Sequence, residues 1–155
     1  MVSSRRKILR LRDMRALVVD DSPFMCQLVT ALMKTLGFGN VAHCTDGGDA
    51  LLTLRSFPAD IIVTDWAMKP MDGLQFLKAF TGLYSPGEPY PPVIMLTANT
   101  EREHVIAARE AGVSDLIAKP VSPTLVYNRV MRVLEQPKPV RAALAEAVEE
   151  EVWEL

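Results

Sequence analysis

The chain has 155 residues, of which 49% are hydrophobic and 23% are charged, the balance of a globular protein with a sizeable core. No apolar run approaches the roughly 20 residues of a membrane-spanning helix, and charges interrupt residues 8–15, so this stretch lacks the apolar core of a signal peptide and we expect none. Cys26 and Cys44 match no metal-binding spacing and lie in apolar patterns, so we expect two reduced core cysteines. We therefore expect a cytoplasmic protein.

The net charge of −2 conceals opposite charges at the two ends of the chain. Residues 1–15 carry six basic groups against one acid, whereas residues 135–155 carry six glutamates against two basic groups. Neither excess is strong enough to indicate nucleic-acid or membrane binding. We expect a basic N-terminal extension over 1–14, one domain over 15–135 and a helix-prone acidic tail over 136–155, with a frayed tail as the alternative.

The predicted elements alternate along the chain as five strand–helix units. The strands are short and apolar at successive positions, as in strands covered on both faces. They span 16–19, 41–44 (the weakest pattern), 60–65, 92–97 and 115–118. The first helix carries an apolar stripe, starts after the capping residue Ser22 with Pro23 in its first turn, and ends at Gly37. The other helices are predicted over 49–56, 74–80, 101–111 and 123–135.

The order of these elements predicts a doubly wound α/β fold, in which a parallel sheet has helices on both faces. Between the third helix and the fourth strand, residues 81–92 hold four prolines and two glycines, so we expect a loop without regular structure.

Residues with reactive or charged groups stand where four of the five predicted strands end. Asp20 and Asp21 follow the first strand, Asp65 ends the third, Thr97 ends the fourth and Lys119 follows the fifth. In such a sheet, binding sites form at the carboxyl ends of the strands, beside the point where the strand order reverses. We therefore expect three acids, one hydroxyl and one ammonium to meet at one edge. The alternative is a helix-capping acid pair and an ordinary strand-end threonine.

This combination indicates phosphoryl chemistry around a hard cation. Three carboxylates at one edge repel one another unless a divalent cation with oxygen ligands lies among them. Mg²⁺ suits the site because it keeps several waters and is commonly completed by phosphate oxygens. Asp65, on the central third strand, is the best candidate for a nucleophile that forms an aspartyl phosphate. Lys119 and the metal would neutralise phosphoryl charge, and Thr97 would donate a hydrogen bond to a phosphoryl oxygen.

Four stretches of the sequence carry a family resemblance: VVDDS (18–22), TDWAMKPMDG (64–73), MLTA (95–98) and AGVSDLIAKP (111–120). Through them, residues 15–135 resemble the response-regulator receiver domains of two-component signalling, in particular the single-domain chemotaxis type. The resemblance implies a three-layer, flavodoxin-like (βα)5 fold with the strand order 2-1-3-4-5.

The resemblance also implies a role for each residue of the site. Asp65 would be the phosphoacceptor, Thr97 the switch hydroxyl and Lys119 the cation that contacts phosphate. Gly73 fits the glycine that follows the acceptor loop, and the peptide bond before Pro120 would be cis. The Mg²⁺ ligands would be Asp21, Asp65, the backbone carbonyl of Ala67 and, through water, Asp20.

Some positions depart from the family pattern. Leu116 stands where the family usually has an aromatic residue, and Ala67 and Asn99 flank the phosphate, with the small Ala98 beside Thr97. Leucine has no ring to swing inward when the threonine moves, so we expect the response to travel mainly through the fourth helix, around His104, Val105 and Ala108. The alternative is an atypical receiver with weak switching, or a phosphate sink.

We interpret the chain as a stand-alone response regulator rather than a turnover enzyme. It would accept a phosphoryl group from a histidine kinase or a histidine phosphotransfer protein, and would promote its own phosphorylation and dephosphorylation. The face formed by the fourth helix, fifth strand and fifth helix would then change to control a protein partner that the sequence does not identify. The 20 residues after Glu135 are too few for a DNA-binding domain.

Two other protein classes fit less well. A phosphohydrolase that uses an aspartyl phosphate would need a second acid at position 67, which is alanine. A flavin-binding protein of similar fold would need a Ser/Thr/Gly loop after the first strand, where DDSPF repels phosphate instead. The sequence leaves open the cognate kinase, the pathway and whether the chain forms a homodimer.

Overall fold

A computed structural model of the protein describes residues 10–142, which form a five-stranded parallel sheet with helices on both faces. The strands are β1 (Arg15–Val19), β2 (Asn40–Cys44), β3 (Ile61–Asp65), β4 (Val93–Thr97) and β5 (Asp115–Ala118). The helices are α1 (Pro23–Leu36), α2 (Gly47–Thr53), α3 (Gly73–Thr81), α4 (Arg102–Glu110) and α5 (Pro123–Glu135). The sheet order is β2-β1-β3-β4-β5 with parallel neighbours throughout, so the predicted doubly wound α/β fold and its strand order are confirmed.

Local capping explains where the observed helices differ from the predicted ones. Helix α2 begins at Gly47, earlier than predicted, because the carboxylate of Asp46 accepts a hydrogen bond from the backbone N–H of Asp49 at 2.7 Å. Helix α3 begins at Gly73 because Asp72 and Gln75 form a reciprocal capping box. Helix α4 is one residue shorter at each end than predicted, and α5 spans the predicted residues.

Strand residues alternate between two hydrophobic cores, one on each face of the sheet. Leu17 and Val19 point to the core under α2, α3 and α4, which includes the fully buried Phe76. Ala16 and Val18 point to the core under α1 and α5, which includes Met33 and Cys26, whereas Cys44 lies in the core on the other face. Both cysteines are free and buried, as predicted. Each large side chain buried in this way contributes about 1.5–3 kcal/mol to stability.

The segments that flank the sheet are partly described. Residues Leu11–Asp13 form one short 3-10 turn before β1. After α5, Val140 forms an antiparallel bridge with Pro89, and the carbonyl of Pro139 accepts a hydrogen bond from the backbone N–H of Tyr90 at 2.9 Å. Residues 136–142 are therefore extended rather than helical, and the remainder of the predicted tail helix and of the basic extension lies outside the described residues. Within 10–142, no helix has both the length and the hydrophobicity needed to cross a membrane.

Gly73 lets the start of α3 lie directly against the end of β3. Its backbone N–H donates to the carbonyl of Trp66 at 2.7 Å. A Cβ atom built on Gly73 would collide with the backbone carbonyl oxygen of Asp65 and lie 2.9 Å from the Cα atom of Trp66. A glycine is needed here because backbone atoms cannot give way as the end of a flexible side chain can. The close packing of Gly73 against Asp65 and Trp66 therefore fixes the end of β3, where Asp65 lies.

Replacing Gly73 by alanine should therefore lower the free energy of unfolding by about 1–3 kcal/mol, the usual cost of overpacking. Urea denaturation of the full chain measures the effect. The matched control is Gly48→Ala in α2, where the new Cβ would meet only the carboxylate oxygen of Asp46 at 3.3 Å. That change should be neutral or stabilising by up to about 1 kcal/mol. Equal stability of the Gly73→Ala and wild-type proteins would contradict the packing argument.

Candidate functional site

The acid pair stands where β1 ends and the chain turns into α1. Ser22 caps α1, since its hydroxyl accepts from the backbone N–H of Met25 at 3.3 Å. The Oδ1 atom of Asp20 accepts from the backbone N–H of Ser22 at 3.0 Å, which fixes the side chain over the sheet edge. Asp21 is exposed, and its Oδ2 atom accepts from the backbone N–H of Lys69 at 3.1 Å. The two neighbouring acids therefore have different environments.

Asp20 is a buried carboxyl group with half of its hydrogen-bonding capacity unused. Only 2% of the residue is exposed, and its Oδ2 atom has no hydrogen-bond partner among the described residues. Burial raises the pKa of Asp20 above its usual value, and the charges of Asp65 and Asp21 raise it further. The hydrogen bond from Ser22 and the charge of Lys119 act in the opposite direction. A buried, unpaired carboxylate oxygen is costly and calls for a positive partner.

Asp65 ends β3 and forms an ion pair with Lys119. The Nζ atom of Lys119 lies 2.7 Å from the Oδ1 atom of Asp65, and the two side chains are 25% and 6% exposed. The same Oδ1 atom accepts from the backbone N–H of Trp66 at 3.0 Å. The pairing follows from the sheet, because β5 ends beside β4 and the backbone N–H of Lys119 donates to the carbonyl of Thr97 at 2.8 Å. The ammonium group of Lys119 is thus held over the end of the central strand β3.

The three carboxylates meet as the sequence predicted. One oxygen atom from each of Asp20, Asp21 and Asp65 lies within 4.8 Å of the other two. This donor set consists only of hard carboxylate oxygen atoms, which suit Mg²⁺ better than a softer metal, and Asp20 has a buried Oδ2 atom without a hydrogen-bond partner among the described residues. Ala67 is exposed two residues after Asp65, on the same loop. The residues present therefore fit a divalent cation of the Mg²⁺ type.

The hydroxyl group of Thr97, at the end of β4, is engaged on the side of α4. Its Oγ1 atom donates to the carbonyl of Asn99 at 3.1 Å and accepts from the backbone N–H of the same residue at 3.0 Å. The Nε2 atom of His104 lies 3.3 Å from the same oxygen atom. Thr97 is only 3% exposed, whereas Ala98 and Asn99 beside it are exposed.

A stacked pair of rings covers this part of the site. The rings of Trp66 and His104 are 3.3 Å apart between centroids and inclined by 22°. Trp66 directly follows Asp65, so one imidazole contacts both the neighbour of the acid and the hydroxyl of Thr97. Sequence reasoning placed His104 on α4 but assigned it neither contact, and it gave Trp66 no role. A tryptophan next to Asp65 and a histidine in the first turn of the following helix were the available signals.

Two further predicted positions, Leu116 and Pro120, make no side-chain hydrogen bond or ion pair with the charged groups of the site among the described residues. Leu116 is half-buried in β5, and Pro120 is exposed. The Lys119–Pro120 peptide bond is cis, which is the expected geometry, and the Lys69–Pro70 bond is also cis, which the sequence analysis did not anticipate.

Comparisons with known proteins agree with this geometry. The family model of the response regulator receiver domain matches residues 16–131. Chemotaxis protein CheY of Pseudomonas aeruginosa is 34% identical over 123 residues, which cover 79% of this chain and 98% of that protein. Chemotaxis protein CheY-3 of Vibrio cholerae is 34% identical over 125 residues, which cover 81% of this chain and 95% of that protein.

A solved structure extends the likeness to three dimensions. The structure of Vibrio cholerae chemotaxis protein CheY4 matches this one with a TM-score of 0.69 at 29% sequence identity, over 77% of this chain and 98% of that chain. The family match covers the five strands except Arg15 at the start of β1 and most of α5, together with the carboxylate cluster and Lys119. The chain belongs to the response regulator receiver domain family.

Proposed function

We propose that this protein is a stand-alone response regulator that accepts a phosphoryl group on Asp65 and thereby controls a protein partner. The observation that carries the proposal is the ion pair between Lys119 and Asp65 inside a cluster of three carboxylates. A lone acidic cluster is compatible with simple cation binding. An ammonium group held on the central carboxylate adds the positive charge that phosphoryl transfer requires at the acceptor.

The proposed step is attack by a carboxylate oxygen of Asp65 on phosphorus. Within residues 10–142, the contacts of this carboxylate with Lys119 and with the backbone N–H of Trp66 both fall on Oδ1, so Oδ2 is the oxygen better placed to attack. A new bond forms between Oδ2 and phosphorus while the bond from phosphorus to the donor breaks, and the donor nitrogen or oxygen leaves with the electron pair. Lys119 then pairs with phosphoryl oxygens instead of the free carboxylate.

Mg²⁺ would be held by Asp21, Asp65 and the carbonyl of Ala67, with Asp20 acting through water. When bound, the cation would neutralise charge on the phosphoryl oxygens and draw the donor towards the acid. The buried Oδ2 atom of Asp20, which has no hydrogen-bond partner among the described residues, supports this assignment because a bound water would satisfy it. The hydroxyl of Thr97 is the group that would turn to bond a phosphoryl oxygen.

The output would pass through the face formed by α4, β5 and α5. A groove of about 570 Å³ opens on this face between the two helices. Val105, Leu116 and Leu125 contribute its apolar lining, and Asp115 at its edge pairs with Arg129 and Arg132 at 2.8 and 2.7 Å. Such a mixture of apolar floor and fixed charges suits a protein partner. The phosphoryl donor would be a histidine kinase or a histidine phosphotransfer protein, and the chain would be a signalling component rather than a turnover enzyme.

A phosphate sink is the second candidate function, and Leu116 favours it. Because leucine has neither a ring nor a hydroxyl, the family's usual aromatic partner for the threonine is missing from β5. Moving an equilibrium from 1:99 to 99:1 requires about 5.5 kcal/mol of differential stabilisation, so the loss of one coupling contact weighs heavily. In a sink, the phosphoryl group would be taken up without a change of the output face.

The acceptor assignment predicts that a small phosphodonor and Mg²⁺ add one acid-labile phosphate to the wild-type protein. The Asp65→Asn protein should remain unlabelled, because an amide is a poor nucleophile. Intact-protein mass spectrometry measures the stoichiometry. Asp49→Asn, at an exposed position of α2, is the matched control and should be labelled like the wild type. Full labelling of the Asp65→Asn protein would refute the assignment.

The buried acid predicts opposite effects of Asp20→Asn with and without metal. Because the pKa of Asp20 is raised in the folded protein, ionisation lowers stability as the pH rises from the usual value of 3.8 through the folded value. Asparagine cannot ionise, so at pH 7 in a chelator the variant should melt at a higher temperature than the wild type. Adding Mg²⁺ should then stabilise the wild type more than the variant, by up to about 2.7 kcal/mol at a hundredfold excess over Kd. Identical magnesium shifts in the two proteins would contradict the assigned ligand role.

Backbone NMR with beryllofluoride, a phosphoryl mimic, separates the two candidate functions. A switching regulator should show amide shift changes across α4 in addition to those around the site. Changes confined to residues 64–73 and 97–100, with 101–111 unchanged, would favour the phosphate sink. The Asp65→Asn protein is the control for binding outside the site.

A further inference from the structure

We propose that His104 is the positioning residue that couples Thr97 to helix α4 in this protein. The inference rests on the proposed function and names the regulatory link inside the same site. One imidazole ring lies 3.3 Å from the hydroxyl oxygen of Thr97 and stacks on Trp66, the residue next to Asp65. It therefore contacts both halves of the site from the first turn of α4.

The hydrogen bonds of Thr97 are complete in the present state. A threonine hydroxyl offers one proton and two lone pairs. The proton goes to the carbonyl of Asn99, and one lone pair accepts from the backbone N–H of Asn99. The second lone pair is then available for His104, with the ring protonated at Nε2 as the donor. When Thr97 turns towards a phosphoryl oxygen, it must give up these bonds, so the contact with His104 is broken or redirected by phosphorylation.

Helix α4 is the element that such a change would release. Ser22, Asp46, Asp72 and Ser122 cap the other four helices of residues 10–142 through side-chain hydrogen bonds. The N-cap residue of α4, Glu101, makes no side-chain cap, and only Ala108 of this helix is fully buried. The start of α4 is therefore held by the hydrogen bond from the backbone N–H of Glu101 to Asn99, by the contact of His104 with Thr97 and by the stacking of His104 on Trp66. Because few interactions fix the start of this helix, the loss of one of them should change its position or stability.

His104 thus occupies the coupling role that Leu116 lacks the chemistry to fill. Leu116 has no polar atom beyond its backbone, and it lines the groove together with Val105, whereas the hydroxyl of Thr97 bonds to Asn99 and His104. The imidazole supplies both an aromatic face and a hydrogen-bonding atom, but it supplies them from α4 instead of β5. The coupling is then direct, from the hydroxyl to the helix.

Two variants of the full chain separate the ring from the hydrogen bond. His104→Phe keeps an aromatic ring for stacking on Trp66 and removes the bond to Thr97. His104→Gln removes the ring and keeps a side-chain N–H group as a donor. Ile106→Ala, at a position of α4 that is 41% exposed, is the matched control. Each protein is titrated with beryllofluoride and Mg²⁺ and followed by backbone NMR, and each is labelled with a small phosphodonor.

Loss of a resting-state hydrogen bond should favour the state in which Thr97 faces the phosphoryl group. The His104→Phe protein should therefore bind beryllofluoride about 2- to 10-fold more tightly than the wild type. Its amide shift changes in 102–110 should fall to less than half of the wild-type values, while those in 64–73 persist. His104→Gln and Ile106→Ala should keep the wild-type pattern.

Wild-type affinity together with a wild-type response of α4 in the His104→Phe protein would overturn the inference. An equal loss in the Phe, Gln and Ile106→Ala proteins would also overturn it, because general packing of α4 would then be the cause. These outcomes differ from failure of the proposed function, which would show as a wild-type protein that takes up no phosphate.

Discussion

Electrostatic repulsion among three carboxylates at one edge of the sheet is the constraint on which the site depends. Asp20, Asp21 and Asp65 each place an oxygen atom within 4.8 Å of the others, and Asp20 and Asp65 are buried. Lys119 offsets part of this charge through its 2.7 Å contact with Asp65. The repulsion that remains favours binding of a divalent cation among the three oxygen atoms. Burial of apolar side chains in the cores on both faces of the sheet offsets the destabilising effect of this repulsion.

At this edge of the sheet, the strands that present the acid cluster are well packed, whereas helix α4 makes few stabilising contacts. The acid cluster stands on β1 and β3, whose side chains are buried in the two cores, and Gly73 packs α3 against the end of β3. Helix α4, in contrast, buries one residue fully and lacks a side-chain cap. The proposed phosphoacceptor therefore stands on a well-packed strand, whereas the helix that is proposed to respond makes few hydrogen bonds to the rest of the site. Thr97 and His104 lie at the boundary between the two.

The residues of the site were predictable because they follow a rule of local position. In a parallel sheet every strand presents its carboxyl end at the same edge, so Asp20, Asp65, Thr97 and Lys119 could be brought together from strand ends alone. Helix starts were less predictable. Asp46 extends α2 towards Gly47 through a side-chain bond, which the apolar pattern of the helix does not encode.

The number and order of the elements, the doubly wound class and the set of charges at the sheet edge could be predicted from the sequence, because hydrophobic runs and strand ends are properties of local sequence. The contacts between these groups became known from the three-dimensional structure. It assigned Lys119 to the Oδ1 atom of Asp65, left the Oδ2 atom of Asp20 without a hydrogen-bond partner among residues 10–142, and stacked His104 on Trp66. These contacts join residues from different strands and loops, and their distances depend on strand register and loop path, which no local pattern of residues specifies.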